Sequence, residues 1–266
     1  MDIDPLSLTS QLSKVFEKFL KEKIVNFLES NGLLGQFQFG FRKGRSCLSS
    51  MLDYYDKIVQ SVEAGINVDS VYLDFEKAFD KVDHGLLCHR LKEKRIWGKT
   101  GIWLADFLKN RVQKVIANGE VSSYEKIISG VPQGSVLGPL LFLLVIDSIG
   151  DLDINLFMSC FTDDTKISYP IKGIEDAEYF QDCLIKLNKW QIENNMKFNN
   201  DKFKLLQFGK NEDLMNSYDY LSPDLTDVIT PEDTVRDLGV IFNKEGNIND
   251  HISTIAKKAR QRIGML

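Results

Sequence analysis

The sequence predicts an α+β fold in which helices and short hairpins follow one another in an irregular order. Three observations support this prediction: helix-type spacing of apolar residues over the first 64 positions, several short runs of strand-forming residues, and turn signals between those runs. A doubly wound parallel sheet would require strands and helices in regular alternation. The 266 residues are 43% hydrophobic and 27% charged, which is typical of a globular protein with a sizeable core.

Two amphipathic helices are predicted at the start of the chain. Thr9 or Ser10 can cap the first helix, and Asn31-Gly32 can end it. The second helix is predicted at about 46–64, where apolar residues recur at helical spacing on one side. These residues are Leu48, Met51, Leu52, Tyr55, Val59 and Val62.

The rest of the chain is predicted to form short strands and helices. A strand at 68–75 ends in Val71-Tyr-Leu-Asp74. The elements after it are, in order, helices at 84–95 and 98–110, strands at 113–117 and 124–128 joined through Asn118-Gly119, a buried helix after Pro132-Gln133-Gly134, a hairpin at 156–169 with its tip at 162–165, a helix at 174–194, and strands at 205–208 and 238–242.

Charge and cysteine content restrict the classes of function. The net charge is −5, which is mildly adverse to nucleic-acid binding, although the last sixteen residues contain four basic and no acidic residues. The four cysteines lie far apart without a C-x-x-C pair, so they predict neither a zinc site nor a disulfide framework. No signal peptide or membrane-length apolar run is present. We therefore expect an intracellular protein, nuclear or cytoplasmic, that is not secreted and has no membrane partner.

Three aspartates form the strongest signal for a functional site. Asp163 and Asp164 lie at the predicted hairpin tip, where adjacent carboxylates repel each other and a divalent cation such as Mg²⁺ would relieve the repulsion. Asp74 ends a predicted strand, and three carboxylates at neighbouring strand ends can hold two ions. A structural or solvated Asp-Asp turn is the alternative. Spacing alone leaves both interpretations open.

Four segments carry a resemblance to a known family. In chain order they are FQFGFRKGRSC (37–47), LDFEKAFDKVDH (73–84), SGVPQGSVLGPLLF (129–142) and FTDD (161–164). They resemble a fingers motif and three successive palm motifs of reverse transcriptases from non-LTR, LINE-like retrotransposons. The resemblance implies an RNA-directed DNA polymerase with a right-hand fold. It places the fingers at 1–67, the palm at 68–210 with inserted fingers elements at about 86–128, and the primer-grip region and the start of a partial thumb at 211–266.

The resemblance also implies a catalytic centre. Asp74, Asp163 and Asp164 match the catalytic aspartates that bind two Mg²⁺ ions, with Mn²⁺ as the alternative ion. The backbone carbonyl of Phe75 would complete the metal coordination. Lys202 matches a catalytic lysine that protonates the leaving pyrophosphate.

Substrate contacts are implied in the same way. Phe79 matches the aromatic residue that excludes a 2′-hydroxyl, and Leu238-Gly239-Val240 resembles a primer-grip hairpin. Four further residues match contacts to the nucleotide or template, and three match the start of a thumb helix along the duplex. They are Arg42, Arg45, Gln133 and Gly134, and Lys257, Lys258 and Arg260. From the residues alone, Phe79 would be assigned to core packing and the basic residues to exposed charges.

Three departures from the family pattern bear on activity. Asp4-Pro5 stands where an arginine usually precedes the proline, Thr162 stands where alanine is usual, and 145–150 lacks the expected sequence. The three aspartates favour an active polymerase that uses an RNA template, a DNA primer and dNTPs. The departures favour a truncated, weak or silent remnant that retains only nucleic-acid binding.

Two further expectations follow from the resemblance. A viral RNA-dependent RNA polymerase shares the palm chemistry, but Phe79 and the LDFEKAFD context argue against it. We also expect the chain to belong to a longer polyprotein that carries an endonuclease and the remainder of the thumb.

Overall fold

A computed structural model describes residues 10–117 and 119–264, and a four-stranded antiparallel sheet lies at its centre. Its strands are β1 (Asn67–Leu73), β6 (Phe157–Phe161), β7 (Asp164–Ile171) and β8 (Lys204–Phe208). The spatial order is β6-β7-β1-β8, so β1 lies between β7 and β8 and is protected from solvent on both edges.

Helices and small hairpins surround this sheet. Before it come α1 (Gln11–Ser30) and α2 (Cys47–Glu63). Between β1 and β6 lie α3 (Ala78–Lys81), α4 (His84–Glu93), α5 (Gly98–Leu108), β2 (Val112–Gln113), β3 (Ile116–Ala117), β4 (Glu120–Val121), β5 (Glu125–Lys126) and α6 (Gly138–Ile146). After β7 come α7 (Ile174–Glu193), α8 (Glu212–Met215), β9 (Tyr220–Leu221), β10 (Val228–Ile229), β11 (Thr234–Asp237), β12 (Val240–Asn243) and α9 (Asn249–Ile263). The predicted α+β class is confirmed.

Local capping explains where the first two helices begin. The Ser10 side chain accepts a hydrogen bond from the backbone N–H of Ser13 at 3.1 Å, while Thr9 lies outside the described residues. Ser46 and Ser49 cap α2 reciprocally, each side chain accepting the other residue's backbone N–H. Such caps satisfy N–H groups that a helix leaves unpaired at its start.

The apolar side predicted for α2 is buried only in part, since Tyr55 lies in the core and Met51 and Val62 pack against it. Tyr54, Tyr55 and Ile58 are the large side chains that α2 buries against the sheet. The buried face is centred on Ile58, so three of the predicted apolar residues lie at its edge and face solvent. The exposed residues are Leu48, Leu52 and Val59.

Three predicted strands also differ from the observed ones. In place of the strands at 113–117 and 124–128, the segment after α5 forms two nested pairs of two-residue strands, β2 with β5 and β3 with β4. Asn118, part of the predicted turn, lies outside the described residues. The last strand begins at Val240 because Leu238 and Gly239 form a turn, with φ of 45° and 93°. Positive φ at both central residues is typical of a two-residue hairpin turn.

The sheet separates two apolar cores. On one face, Val71, Leu73 and Ile167 pack with α6 and α7. On the other face, Val68 and Phe208 pack with α2 and with the β11–β12 hairpin. The predicted buried helix is confirmed, since α6 is enclosed along nearly its whole length. No helix in residues 10–117 and 119–264 is both long and apolar enough to cross a membrane.

A buried carboxylate on α1 secures the loop that precedes α6. Glu17 Oε2 accepts the backbone N–H groups of Val136 at 2.8 Å and Leu137 at 3.1 Å, and Glu17 Oε1 accepts the hydroxyl of Ser13 at 3.2 Å. Glu17 is fully buried. The carboxylate therefore acts as a cap, supplied from another helix, at the N-terminus of α6.

We predict that Glu17→Ala lowers the free energy of unfolding by about 2–4 kcal/mol, because two buried N–H groups lose a charged acceptor. Glu22→Ala is the control, since Glu22 is exposed on the same helix and its loss should change stability by less than about 0.5 kcal/mol. Urea unfolding followed by circular dichroism measures both values. Equal losses in the two variants would contradict the capping role.

Candidate active site

The register between β1 and β7 brings the three aspartates to one end of the sheet. Leu73 pairs with Thr165, so the next residue, Asp74, follows opposite Asp164. Paired residues in antiparallel strands have Cα atoms about 4.5–5.5 Å apart. Asp163 lies in the turn just before Asp164. The convergence proposed from the sequence is therefore present in the structure.

The hairpin tip is one residue pair shorter than predicted. Phe161 pairs with Asp164, so the turn consists of Thr162 and Asp163 alone. Thr162 has a φ of 64°, a conformation that β-branched residues rarely adopt. The segment at 37–47 lies directly against this turn, because a Cβ added to Gly40 would lie 2.6 Å from the backbone nitrogen of Thr162. A glycine at position 40 thus permits the loop to contact the turn directly.

Burial and mutual repulsion both disfavour charge on the aspartates, and burial is the larger cause. Burial, followed by the charges of Asp163, Asp74 and Asp237, raises the pKa of Asp164 to about 6. Burial and the charge of Asp74 also raise the pKa of Asp163, against the opposing effect of a backbone hydrogen bond. The site therefore favours cations that neutralise this carboxylate charge.

Lys202 supplies one such cation. Its Nζ lies 2.5 Å from Asp74 Oδ2, and this hydrogen bond, followed by the charge of Asp74, raises the pKa of the Lys202 amine. The Lys202 side chain is 62% exposed and that of Asp74 only 22%. The lysine therefore reaches the carboxylate from solvent and is free to move away from it.

The side-chain positions do not form a closed metal cage. No three His, Cys, Asp or Glu side chains in the described part of the chain are close enough to hold one ion. Asp74 is turned toward Lys202, and its backbone carbonyl accepts the N–H of Asn199 at 2.9 Å. Coordination by all three aspartates would therefore require Asp74 to rotate.

Phe75 and Phe79 differ in their surroundings. Phe75 forms an antiparallel bridge with Phe198. The two hydrogen bonds of this bridge are made by the residues on either side of Phe75, so the Phe75 carbonyl takes no part in them. Phe79 is partly buried, and its ring stacks on Phe142 with centroids 4.6 Å apart. This contact fixes the ring orientation of Phe79.

The glycine-rich loop at 130–134 is attached to the segment that follows Asp74. Gly130 donates its N–H to Val82 O, and Gln133 Nε2 donates to Asp80 Oδ1 at 3.1 Å. Gly130 has a φ of 83°, and a Cβ there would lie 2.8 Å from the Asp80 backbone. Only glycine permits this approach. Gly134 is exposed with a φ of 91°.

The two fingers arginines are engaged within the chain. Arg42 forms a bidentate pair with Glu29, at 2.7 and 2.6 Å, and also donates to Gly35 O. Its side chain is 5% exposed. Arg45 donates to Gln36 and lies over the Phe39 ring. The geometry of Arg42 is that of a structural anchor, and we do not propose it as a nucleotide contact.

The thumb-type residues lie where the sequence placed them, on a helix. Lys257, Lys258 and Arg260 are all exposed on α9, which has no buried residue among those described. Their roles remain predictions.

Sequence reasoning missed a second charged pair beside the aspartates. Lys166 and Asp237 are buried and joined by a salt bridge. The available signal was Lys166 itself, a charged residue within a strand whose neighbours are buried. A cavity of about 280 Å³ connects this pair to the aspartates. Its lining includes Asp74, Asp164, Lys166, Lys202, Asp237 and Leu238.

Comparison with known sequences identifies the family. The family described as "Reverse transcriptase (RNA-dependent DNA polymerase)" matches residues 2–242. A probable RNA-directed DNA polymerase from the transposon X-element of Drosophila melanogaster is 27% identical over 97% of this chain and 28% of its own length. The RNA-directed DNA polymerase from the mobile element jockey of the same species is 24% identical over 100% of this chain and 30% of its own length. The chain thus spans under a third of these curated relatives.

Solved structures show the same fold. Apo telomerase from Candida tropicalis, truncated from its C-terminal domain, has a TM-score of 0.58 at 10% identity, covering 87% of this chain and 44% of that chain. Telomerase from Candida albicans has a TM-score of 0.56 at 13% identity, covering 87% and 38%. At such identities the likeness concerns architecture, here the right-hand fold. With the family match, this chain therefore belongs to the reverse transcriptases, as a domain of the LINE-like, non-LTR retrotransposon kind.

Proposed function

We propose that this chain extends the 3′-hydroxyl of a DNA primer with dNTPs on an RNA template, by two-metal nucleotidyl transfer. The register that sets Asp74 beside Asp163 and Asp164 is the observation that carries the proposal. No other grouping of carboxylates in the described residues combines neighbouring strand ends with the family's motifs.

The donor set suits hard divalent cations. Asp74, Asp163 and Asp164 offer carboxylate oxygens, and the carbonyl of Phe75 is not used in its bridge to Phe198. Burial, and then the charges of neighbouring aspartates, raise the pKa of Asp164, and bound cations would stabilise its ionised form. Two Mg²⁺ ions, or Mn²⁺, would supply activation of the primer hydroxyl and stabilisation of the leaving charge.

Residues of the chain would perform the remaining steps. Lys202, released from Asp74 as that carboxylate turns to its ligand position, would donate a proton to the leaving pyrophosphate. Phe79, held by Phe142, would form a rigid wall against C2′ of the incoming sugar. Gln133, oriented by Asp80, would contact the nascent base pair beside Gly134.

Binding of the primer–template would use the remaining elements. Arg45 lies in the fingers loop, and the basic residues of α9 would lie along the duplex backbone; these are Lys257, Lys258 and Arg260. The division into fingers at 1–67, palm at 68–210 and primer-grip region with partial thumb at 211–266 belongs to this proposal.

Asp163→Asn is predicted to lower primer extension about a thousandfold, because a lost metal ligand costs several kcal/mol of transition-state stabilisation. Asp219→Asn is the matched control, since Asp219 is exposed and lies outside the cavity. Extension of a DNA primer on an RNA template with dNTPs and Mg²⁺ or Mn²⁺ measures the effect. Folded wild-type protein that binds primer–template but extends nothing with either metal would refute the proposal and favour the silent remnant.

Phe79→Val is predicted to raise the use of ribonucleotides relative to deoxynucleotides by about tenfold or more, the scale of steric discrimination in a pocket. Phe79→Tyr keeps the ring and should keep the discrimination. Single-nucleotide incorporation with each substrate measures the ratio. An unchanged ratio in the valine variant would show that Phe79 only packs against Phe142.

Without metal, the pKa of Asp164 predicts a pH-dependent stability. A carboxyl whose folded pKa is raised to about 6 favours the fold below pH 4, and that advantage is lost as pH rises through 6. The Tm of Asp164→Asn should therefore equal that of wild type at pH 4 and exceed it by about 2–4 °C above pH 7. The gain is small because Asp164 is partly solvated, which weakens the electrostatic effect. Thermal melts in EDTA test this, with Asp219→Asn as control. A pH-independent difference would contradict the assigned pKa.

A further inference from the structure

A buried ion pair joins the strand of Asp164 to a hairpin outside the central sheet. Lys166 lies two residues after Asp164 on β7, and its Nζ donates to the carboxylate of Asp237 at the end of β11. The two side chains are only 4% and 5% exposed. A buried pair of this kind is seldom more stabilising than two apolar residues of equal volume. Fold stability therefore gives little reason for charges at these positions.

Aromatic residues of α2 enclose the ammonium group of Lys166. It lies 4.6 Å from the ring centroid of Tyr54 and 5.4 Å from that of Tyr55. Tyr55 also stacks on Phe242 of β12, with centroids 3.6 Å apart, and shares a hydrogen bond with the hydroxyl of Tyr72 at 2.6 Å. Lys166 is therefore held in one position relative to both the sheet and the hairpin.

The β11–β12 hairpin also contacts the sheet near its tip and at its base. Near the tip, Val240 packs against the apolar cluster that includes Val68 and Phe208. At its base, the N–H of Glu232 donates to Leu205 O at 2.8 Å. Asp237 is the last residue before the Leu238-Gly239 turn, and it pairs with Val240 across that turn. The pair with Lys166 thus connects the tip of the hairpin directly to the strand that carries Asp164.

The turn and the aspartates share one cavity. Leu238 and Asp237 line the same 280 Å³ space as Asp74 and Asp164. Leu238 forms part of the wall of the space that a primer terminus at the aspartates would occupy. The position of that wall therefore limits where the terminal nucleotide lies.

We propose that Lys166 and Asp237 are a positioning pair that sets the distance between the primer's terminal nucleotide and the three aspartates. The pair does so by fixing the Leu238-Gly239 turn to β7, and neither residue contacts the reacting atoms. This inference rests on the proposed function for its substrate, a primer–template.

The double variant Lys166→Met/Asp237→Leu tests the proposal. It replaces both charged side chains by apolar ones of similar shape, so it leaves no unpaired buried charge of the kind that makes single substitutions strongly destabilising. The matched control is Lys57→Met/Asp53→Leu, which removes an exposed pair of 2.8 Å on α2. Circular dichroism verifies that each variant is folded.

Two measurements separate positioning from a purely structural role. In the first, the maximal rate of single-nucleotide extension at saturating dNTP should fall about tenfold to a hundredfold, the scale of a misplacement near 1 Å, while KM for dNTP stays within about twofold. In the second, a primer with 4-thiothymidine at its 3′ end, annealed to RNA, is photo-crosslinked to the protein. Wild type should crosslink at residues 237–244, the tryptic peptide containing the turn, and the double variant should lose about tenfold of this signal with unchanged primer–template binding.

The outcomes distinguish this proposal from the proposed function. If wild-type protein crosslinks at 237–244 but does not extend the primer, the result supports the positioning pair and contradicts the proposed polymerase activity. Wild type without a crosslink in that peptide would reject the positioning pair, whether or not the double variant folds. A folded double variant with wild-type rate and crosslink would also reject it. Lys166→Arg keeps the positive charge and should retain the crosslink. Loss of the crosslink in this variant would contradict the positioning pair.

Discussion

The antiparallel pairing of β1 with β7 is the constraint on which the site depends. With Leu73 opposite Thr165, the chain places Asp74 beside Asp164, and a slip of one residue would turn every following side chain to the other face. A cross-strand contact opposes such a slip. Ser70 and Ser168 are paired across the two strands, and their hydroxyls share a buried hydrogen bond of 2.7 Å.

Collecting three carboxylates in one place costs free energy, and the surrounding chain limits that cost with cations from different elements. Lys202 pairs with Asp74. Lys166 pairs with Asp237, whose negative charge is one of those that raise the pKa of Asp164. The two lysines differ in mobility, since Lys202 is largely exposed and Lys166 is buried. A metal ion can displace an exposed lysine from its carboxylate, whereas a buried lysine stays in contact with its partner.

The sequence predicted the elements with strong local signals and failed where partners are distant in the chain. Capping by Ser10, the buried helix α6 and the order of the motifs follow from short-range patterns. The buried face of α2 follows only in part, because the apolar arc of that helix is broader than the face it buries and tertiary packing decides which part is covered. Likewise, periodicity locates Lys166 on a strand but does not reveal Asp237, 71 positions later. The pairing of Arg42 with Glu29, which lies 13 positions earlier and across a loop, is likewise a contact that the sequence pattern does not indicate.

Contacts between residues distant in the chain also bear on position 162, where threonine stands in place of the alanine that is usual in the family. A β-branched residue with φ of 64° carries strain on the order of 1–3 kcal/mol, which the surrounding structure must support. That support comes from Gly40, whose close approach to the Thr162 backbone leaves the turn no room to relax. The pairing of Phe161 with Asp164 is intact around it, so threonine at this position leaves the aspartates aligned. The threonine at position 162 therefore gives no geometric reason to expect an inactive site. The departure at Asp4-Pro5 lies outside the described residues.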